Sequence, residues 1–179
     1  MLTPTRLMTV EEFQQLRLPE DKVYDLLNGE VIEMSHPKHR HIRLQHHLFD
    51  LLRPLAGSYG HVLIELPFRT TPEYNLWAAD VAVVSLDRFN GIDPDDNLRG
   101  APEMVIEVES PSNTAAELDE REAQCLANGC KEFWVVYPTR KVVRVSTGDT
   151  VRRYKEGENI PLSLIPGQGI AVTDIFAAI

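Results

Sequence analysis

The stretch MVIEVES, residues 104–110, restricts the fold more than any other part of the chain, because it reads as a buried β-strand and yet carries two acids. Side chains alternate along a strand, so Met104, Ile106 and Val108 share one face while Val105, Glu107 and Glu109 share the other. An isolated carboxylate in such a place is costly unless it is paired, protonated or bound to a cation. Any sheet that accepts this strand must bring a compensating group to the Glu107 face.

The remaining segments predict further strands and the helices that cover them. Thr9 and Glu12 make a capping box at the start of TVEEFQQL, where Phe13 and Leu16 follow at helical spacing. Asn28-Gly29 marks a tight turn in KVYDLLNGEVIEMS, and the strand after it gives Glu30, Ile32 and Met34 one parity, which turns Glu30 inward. Leu44, Leu48, Leu51, Leu52 and Leu55 recur at helical intervals over residues 40–56, with Pro54 near the end. HVLIELPFRT and WAADVAVVS predict two strands, and the polar loop DRFNGIDPDDNLRGA leads from them into MVIEVES. Thr114 and Glu117 make a second capping box, which opens a helix over residues 115–128 that turns Leu118, Arg121 and Cys125 inward and stops at Gly129. KEFWVVYP, KVVRVST and VRRYK predict three more strands, the last two joined by a turn at Gly148-Asp149, and TDIFAAI predicts a closing turn or helix. With 179 residues, 43% of them hydrophobic, and neither repeat nor linker, one domain over residues 1–179 is expected.

Charge limits the partners. The chain has 18 basic against 27 acidic side chains, a net −9 that disfavours non-specific attachment to a polyanion. HPKHRHIRLQHH nevertheless concentrates Lys38, Arg40, Arg43 and five histidines, and Arg152, Arg153 and Lys155 form a smaller cluster. No stretch approaches the roughly 20 apolar residues of a membrane span, and the first residues lack the apolar core of a signal peptide, so a soluble cytoplasmic protein is expected. Cys125 and Cys130 match neither a zinc pair nor a redox dithiol and are expected to be reduced, partly buried thiols.

Asp80 repeats the oddity of Glu107: it shares its parity with Ala78, Ala82 and Val84, a lone acid on a small apolar face. Adjacent pairing of the two strands would bring both carboxylates within reach of one cation, and oxygen ligands suit Mg²⁺ or Mn²⁺ rather than zinc. There is no GxGxxG or Walker loop, Ser110 has no nucleophile-elbow context, and the histidines form no HExxH, so neither a nucleotide loop nor a histidine-based metal site is expected. Glu107 and Glu109, alternate residues about 7 Å apart, also fit the spacing of an inverting glycosidase pair, but no aromatic-rich sugar platform accompanies them.

Taken in order, TVEEFQQL, YDLLNGEVIEMS, the His39 and Ile42 region, AADVAVVS, PEMVIEVESPS and GCKEFWVVYP resemble the Uma-type family of restriction-endonuclease-like proteins, a bacterial branch of the PD-(D/E)xK nuclease superfamily, along almost the whole chain. The resemblance implies an α/β, restriction-endonuclease-like fold, with a central mixed β-sheet flanked by helices and its acids at one sheet edge. It also implies an endonuclease that hydrolyses DNA with Mg²⁺ or Mn²⁺, in which Asp80 and Glu107 hold one or two ions and Glu30 is the third metal ligand. Asp80 matches the aspartate of the family's Pro-Asp motif, although Ala79 replaces the proline.

Two further departures bear on turnover. Where the wider superfamily has a lysine two residues after the strand acid, this chain has Glu109; the family's lysine comes from the next helix, one turn before a tyrosine, and those positions here are Arg121 and Cys125. A lysine, with a reference pKa of about 10.4, can be lowered into a proton-transfer role, whereas arginine stays charged and binds anions. The expectation is therefore that Arg121 clamps the phosphate, that Glu109 orients the water or a second ion, and that Lys38, His39, Arg40 and Arg43 contact the DNA backbone. The alternative is a nuclease-fold module that binds nucleic acid or a protein partner without turnover. A homodimer is expected by analogy, since cutting both strands of a duplex needs two sites.

Overall fold

In the computed structural model, which describes residues 6–110, 114–148 and 150–179, the strands assemble into one nine-stranded mixed sheet. α1 (Val10–Gln14) is held by the reciprocal Thr9–Glu12 capping box. Asn28 and Gly29 both adopt left-handed φ, 49° and 74°, so that β1 (Val23–Leu27) turns directly into β2 (Glu30–Met34). After α2 (His39–Ala56) come the long hairpin β3 (Gly60–Thr70) and β4 (Asn75–Ser85), then α3 (Leu86–Asn90), β5 (Leu98–Arg99) and β6 (Met104–Val108). α4 (Ala115–Ala127) crosses over to β7 (Glu132–Tyr137), which therefore runs parallel to β6, and the meander β8 (Val142–Thr147) and β9 (Thr150–Lys155) completes the sheet. Strand order is β2-β1-β4-β6-β7-β8-β9, with β3 paired to β4 and β5.

Two apolar layers sandwich this sheet. On one face Leu44, Leu48 and Leu52 of α2 pack on Val81, Val83, Met104, Ile106 and Val108, joined by Ile160, Val172 and Ile175 from the C-terminal segment. On the other, Leu118 and Cys125 of α4 pack on Ala82, Val105, Phe133 and Val135. Every residue of β6 is buried, and burial of each large aliphatic side chain contributes about 1.5–3 kcal/mol. Gly60 is required where β3 begins, for a Cβ there would lie 2.0 Å from the Val84 carbonyl oxygen.

The sequence reading differs from the structure mainly in polar segments. The loop after β4 contains α3 and β5, because Arg88 donates to the carbonyls of Arg99 and Ala101 while Arg69 binds Asp96 at 2.6 Å. β10 (Asn159–Pro161) and β11 (Gly169–Ala171) form a separate two-stranded sheet, followed by α5 (Val172–Ile175) and a 3₁₀ turn at Phe176–Ala178. Gly148 takes φ 55° after β8, while Asp149 lies outside the described residues, as does the segment 111–113. Both cysteines are free and buried; burial pushes the Cys125 thiol well up and the Cys130 thiol up to about 12. Among the described residues, no helix is long and apolar enough to cross a membrane.

Candidate functional site

β4 and β6 pair from Val83↔Met104 to Val81↔Ile106, and one step beyond, where the ladder ends, Asp80 and Glu107 lie across from each other. The Val108 N–H donates there to Asp80 Oδ2 at 2.7 Å, so a carboxylate fills the place of the next ladder bond. The other oxygen, Oδ1, lies 2.9 Å from His41 Nε2 in the first turn of α2.

The neighbouring ladder is also interrupted at this level. β3 and β4 pair at Ile64↔Val81 and again at Leu66↔Ala79, and between them Glu65 has φ 52°, a left-handed conformation uncommon for a side-chain-bearing residue. Side alternation reverses at the irregularity: Trp77 and Ala79 belong to the core under α4, whereas Val81 and Val83, of the same parity, belong to the core under α2. Gln45, buried one turn after His41, donates to Glu65 Oε1 and to the Asp80 carbonyl, the latter at 3.0 Å. His41, Glu65 and Asp80 thereby each place a ligand atom within 4.8 Å of the others, a group capable of coordinating a divalent metal.

On the α4 side, Arg121 lies between two acids. Its Nη2 donates to Asp25 Oδ2 at 2.6 Å, its Nη1 is 3.7 Å from Glu107 Oε2, and its guanidinium carbon stands 5.5 Å from the Trp77 ring centroid. Arg121 and Glu107 are each 5% exposed. Glu107 Oε1, His41 Nδ1 and Arg121 Nε are buried without hydrogen-bond partners among the described residues.

Electrostatics follow from this crowding. Burial pushes the Glu107 carboxyl well above the usual carboxylate range, against the pull of Arg121 and with the push of Asp80, Asp25 and Glu65. Burial also raises Asp25, which Arg121 opposes, and raises Glu65, which the Gln45 hydrogen bond opposes. For His41, burial disfavours the imidazolium, but the Asp80 hydrogen bond and the charges of Asp80 and Glu65 outweigh it and raise the pKa. Arg121 loses hydration through burial, yet Glu107 and Asp25 hold it charged.

The structure thus brings Asp80, Glu107 and Arg121 together. It does not bring in Glu30, which stands opposite Leu27 beside the hairpin turn and is exposed; the hairpin's contribution to the buried group is Asp25. Glu109 is half-buried just past β6, its N–H bonding the Val136 carbonyl, and is not among the clustered ligand atoms. Lys38, His39, Arg40 and Arg43 are exposed at the start of α2, the turn that also carries His41. The sequence reading did not single out Asp25, Glu65 or His41 and expected only oxygen ligands, although the signal was present. Asp25 and Glu65 are lone acids within apolar strands, and His41 precedes Leu44 and Leu48 by three and seven residues, on the buried stripe of the helix.

Residues 10–173 match the profile of the Uma2 family, described as "Putative restriction endonuclease". A solved structure described as a putative nuclease belonging to DUF820, from Anabaena variabilis, superposes with a TM-score of 0.83 at 18% identity, over 96% of this chain and 98% of that one. No curated protein matches the sequence.

Proposed function

The chain belongs to the Uma2 family of restriction-endonuclease type, and from that premise we propose that it is a divalent-metal-dependent endonuclease that hydrolyses DNA phosphodiester bonds. The observation that carries the proposal is the meeting of Asp80 and Glu107 where β4 and β6 part, flanked by His41 and Glu65, with Glu107 Oε1 buried and unpartnered. An unpaired buried carboxylate oxygen beside a ring of acids is the arrangement a cation relieves, so these residues fit a metal. Asp80, Glu65, His41 and Glu107 would hold it, and one imidazole among carboxylates favours Mn²⁺ over Mg²⁺. A divalent ion at such a place supplies Lewis-acid chemistry, favouring ionised water and offsetting charge on the leaving oxygen.

The chain's own groups do the rest. Lys38, His39, Arg40 and Arg43 hold the DNA backbone beside His41, in the first turn of a helix whose N-terminus itself attracts phosphate. Glu109, half-buried beyond β6, orients the attacking water. Arg121 is engaged by Asp25 and Glu107, and serves as fixed counter-charge to the acids rather than as a clamp on phosphate. That engagement also favours a second reading, a module that binds DNA without turnover, since no lysine is present at this position to move a proton. Plasmid nicking with Mn²⁺ decides between them. Activity in the wild type that disappears in Asp80→Ala and Glu107→Ala supports the enzyme. An inert wild type that binds DNA and gains nicking as Arg121→Lys supports the module.

A further inference from the structure

We infer that Arg121 occupies the place of a second cation, so that this centre takes one divalent ion per chain, on the side of His41, Glu65 and Asp80. The inference rests on the metal-centre reading above and specifies how many ions the centre accepts and where. Glu107 is the dividing residue. Its Oε2 faces Arg121 Nη1 at 3.7 Å, while its Oε1 is buried and has no hydrogen-bond partner among the described residues.

Asp25 belongs to the arginine. It receives the Arg121 Nη2 hydrogen bond at 2.6 Å, and both side chains are more than nine-tenths buried. A divalent ion bridging Asp25 and Glu107 would have to displace a guanidinium that is held by two carboxylates and lies against the Trp77 ring at 5.5 Å. Displacement would bring a permanent charge and a dication into one low-dielectric space, where repulsion is least screened. On the other side the group paired with Asp80 is titratable: His41 Nε2, 2.9 Å from Asp80 Oδ1, can give up its proton and become a ligand, which a guanidinium cannot. His41 Nε2, Glu65 and Asp80 converge within 4.8 Å, and Gln45, which touches both acids, is uncharged. Four carboxyl groups therefore divide into a pair neutralised by arginine, Asp25 and Glu107, and a pair that with His41 is left for one ion, Glu65 and Asp80.

Mn²⁺ titration of the intact protein by calorimetry, with anomalous diffraction from Mn²⁺-soaked crystals, tests the inference. One ion per chain, located between His41, Glu65 and Asp80, is expected. Glu65→Gln should weaken binding about tenfold or more, as loss of a ligand does, whereas Asp25→Asn should leave affinity within about threefold. Arg121→Met should admit a second, weaker Mn²⁺ and show a larger Mn²⁺-induced rise in melting temperature than the wild type. Two ions in the wild type, or an affinity that falls in Asp25→Asn as far as in Glu65→Gln, overturn the one-ion assignment and leave the metal-centre reading intact. Absence of any Mn²⁺ binding overturns that reading and the assignment with it. Wild-type stoichiometry and ion position need no variant, so the outcome does not depend on Arg121→Met folding.

Discussion

Glu107 is a buried carboxyl among other acids, and the consequence is a stability that depends on pH in a definite direction. Its folded pKa lies above the ordinary value of 4.5, so the native chain binds this proton more tightly than the unfolded chain. The carboxyl contributes most below pH 4.5, and the contribution is lost as pH rises through its folded value. His41, also raised, acts with the same sign from its reference value of 6.5 upward. Thermal melts in chelator should therefore show Glu107→Gln gaining on the wild type as pH rises from about 5 to 8, by at most about 1.4 kcal/mol per pH unit. A gap between the two that does not change with pH would contradict the burial argument. Saturating Mn²⁺ should narrow the gap at neutral pH, because a cation compensates the wild-type acid and not the amide. Arg121 is the complementary case. Replacing it with methionine leaves Asp25 and Glu107 buried without their counter-ion and should cost about 3–5 kcal/mol in urea unfolding, whereas Asp25→Asn/Arg121→Met, which removes one charge of each sign, should cost less.

The two helices that deliver the site's side chains differ at their N-termini. α4 begins with the Thr114–Glu117 capping box, and Thr114→Ala should lower stability by about 1 kcal/mol, because an N–H of the first turn loses its acceptor. α2 breaks the same rules. Its cap is Lys38 without a side-chain hydrogen bond, and its first turn holds no acid, placing cations at the positive end of the helix dipole. Local propensity is contradicted there on an exposed surface, as happens where function sets the residue type. Lys38→Asp should stabilise the protein by about 0.5–1 kcal/mol and weaken its affinity for a short DNA duplex. A denaturant melt and a fluorescence-anisotropy titration measure the two effects on the same sample, and loss of stability together with affinity would argue against this division of roles.

Net charge −9 means that the remainder of the surface repels a polyanion, so the proposed DNA affinity would have to come from a few cations on one patch. If Lys38, Arg40 and Arg43 each neutralise a phosphate, the logarithm of the binding constant should fall with the logarithm of salt at a slope of about −3, and Arg43→Ala should reduce that slope by about 1. Much of this architecture was legible in the sequence. Alternation located every strand of the sheet except β5, leucine periodicity located α2 and a capping box α4, and lone acids in apolar strands pointed to Asp80 and Glu107 as neighbours. The parts that were not legible share a physical cause. Glu30 and Asp25 lie on one hairpin and share a face, and burial is decided by the strand, for Asp25 is on β1 between β2 and β4 whereas Glu30 is on the edge strand β2. α3 and β5 are fixed by arginine contacts to distant backbone, which leave no periodic trace. Glu65 joins the centre through a left-handed φ that no apolar pattern encodes.

That backbone conformation sets stability and chemistry at odds. A non-glycine residue at φ 52° inside a strand sits in a sparsely populated region, a conformation that costs about 1–3 kcal/mol and that glycine tolerates more easily. Selection of this protein for heat resistance alone should accumulate glycine at position 65, and the hardier variants would have lost a ligand from the centre.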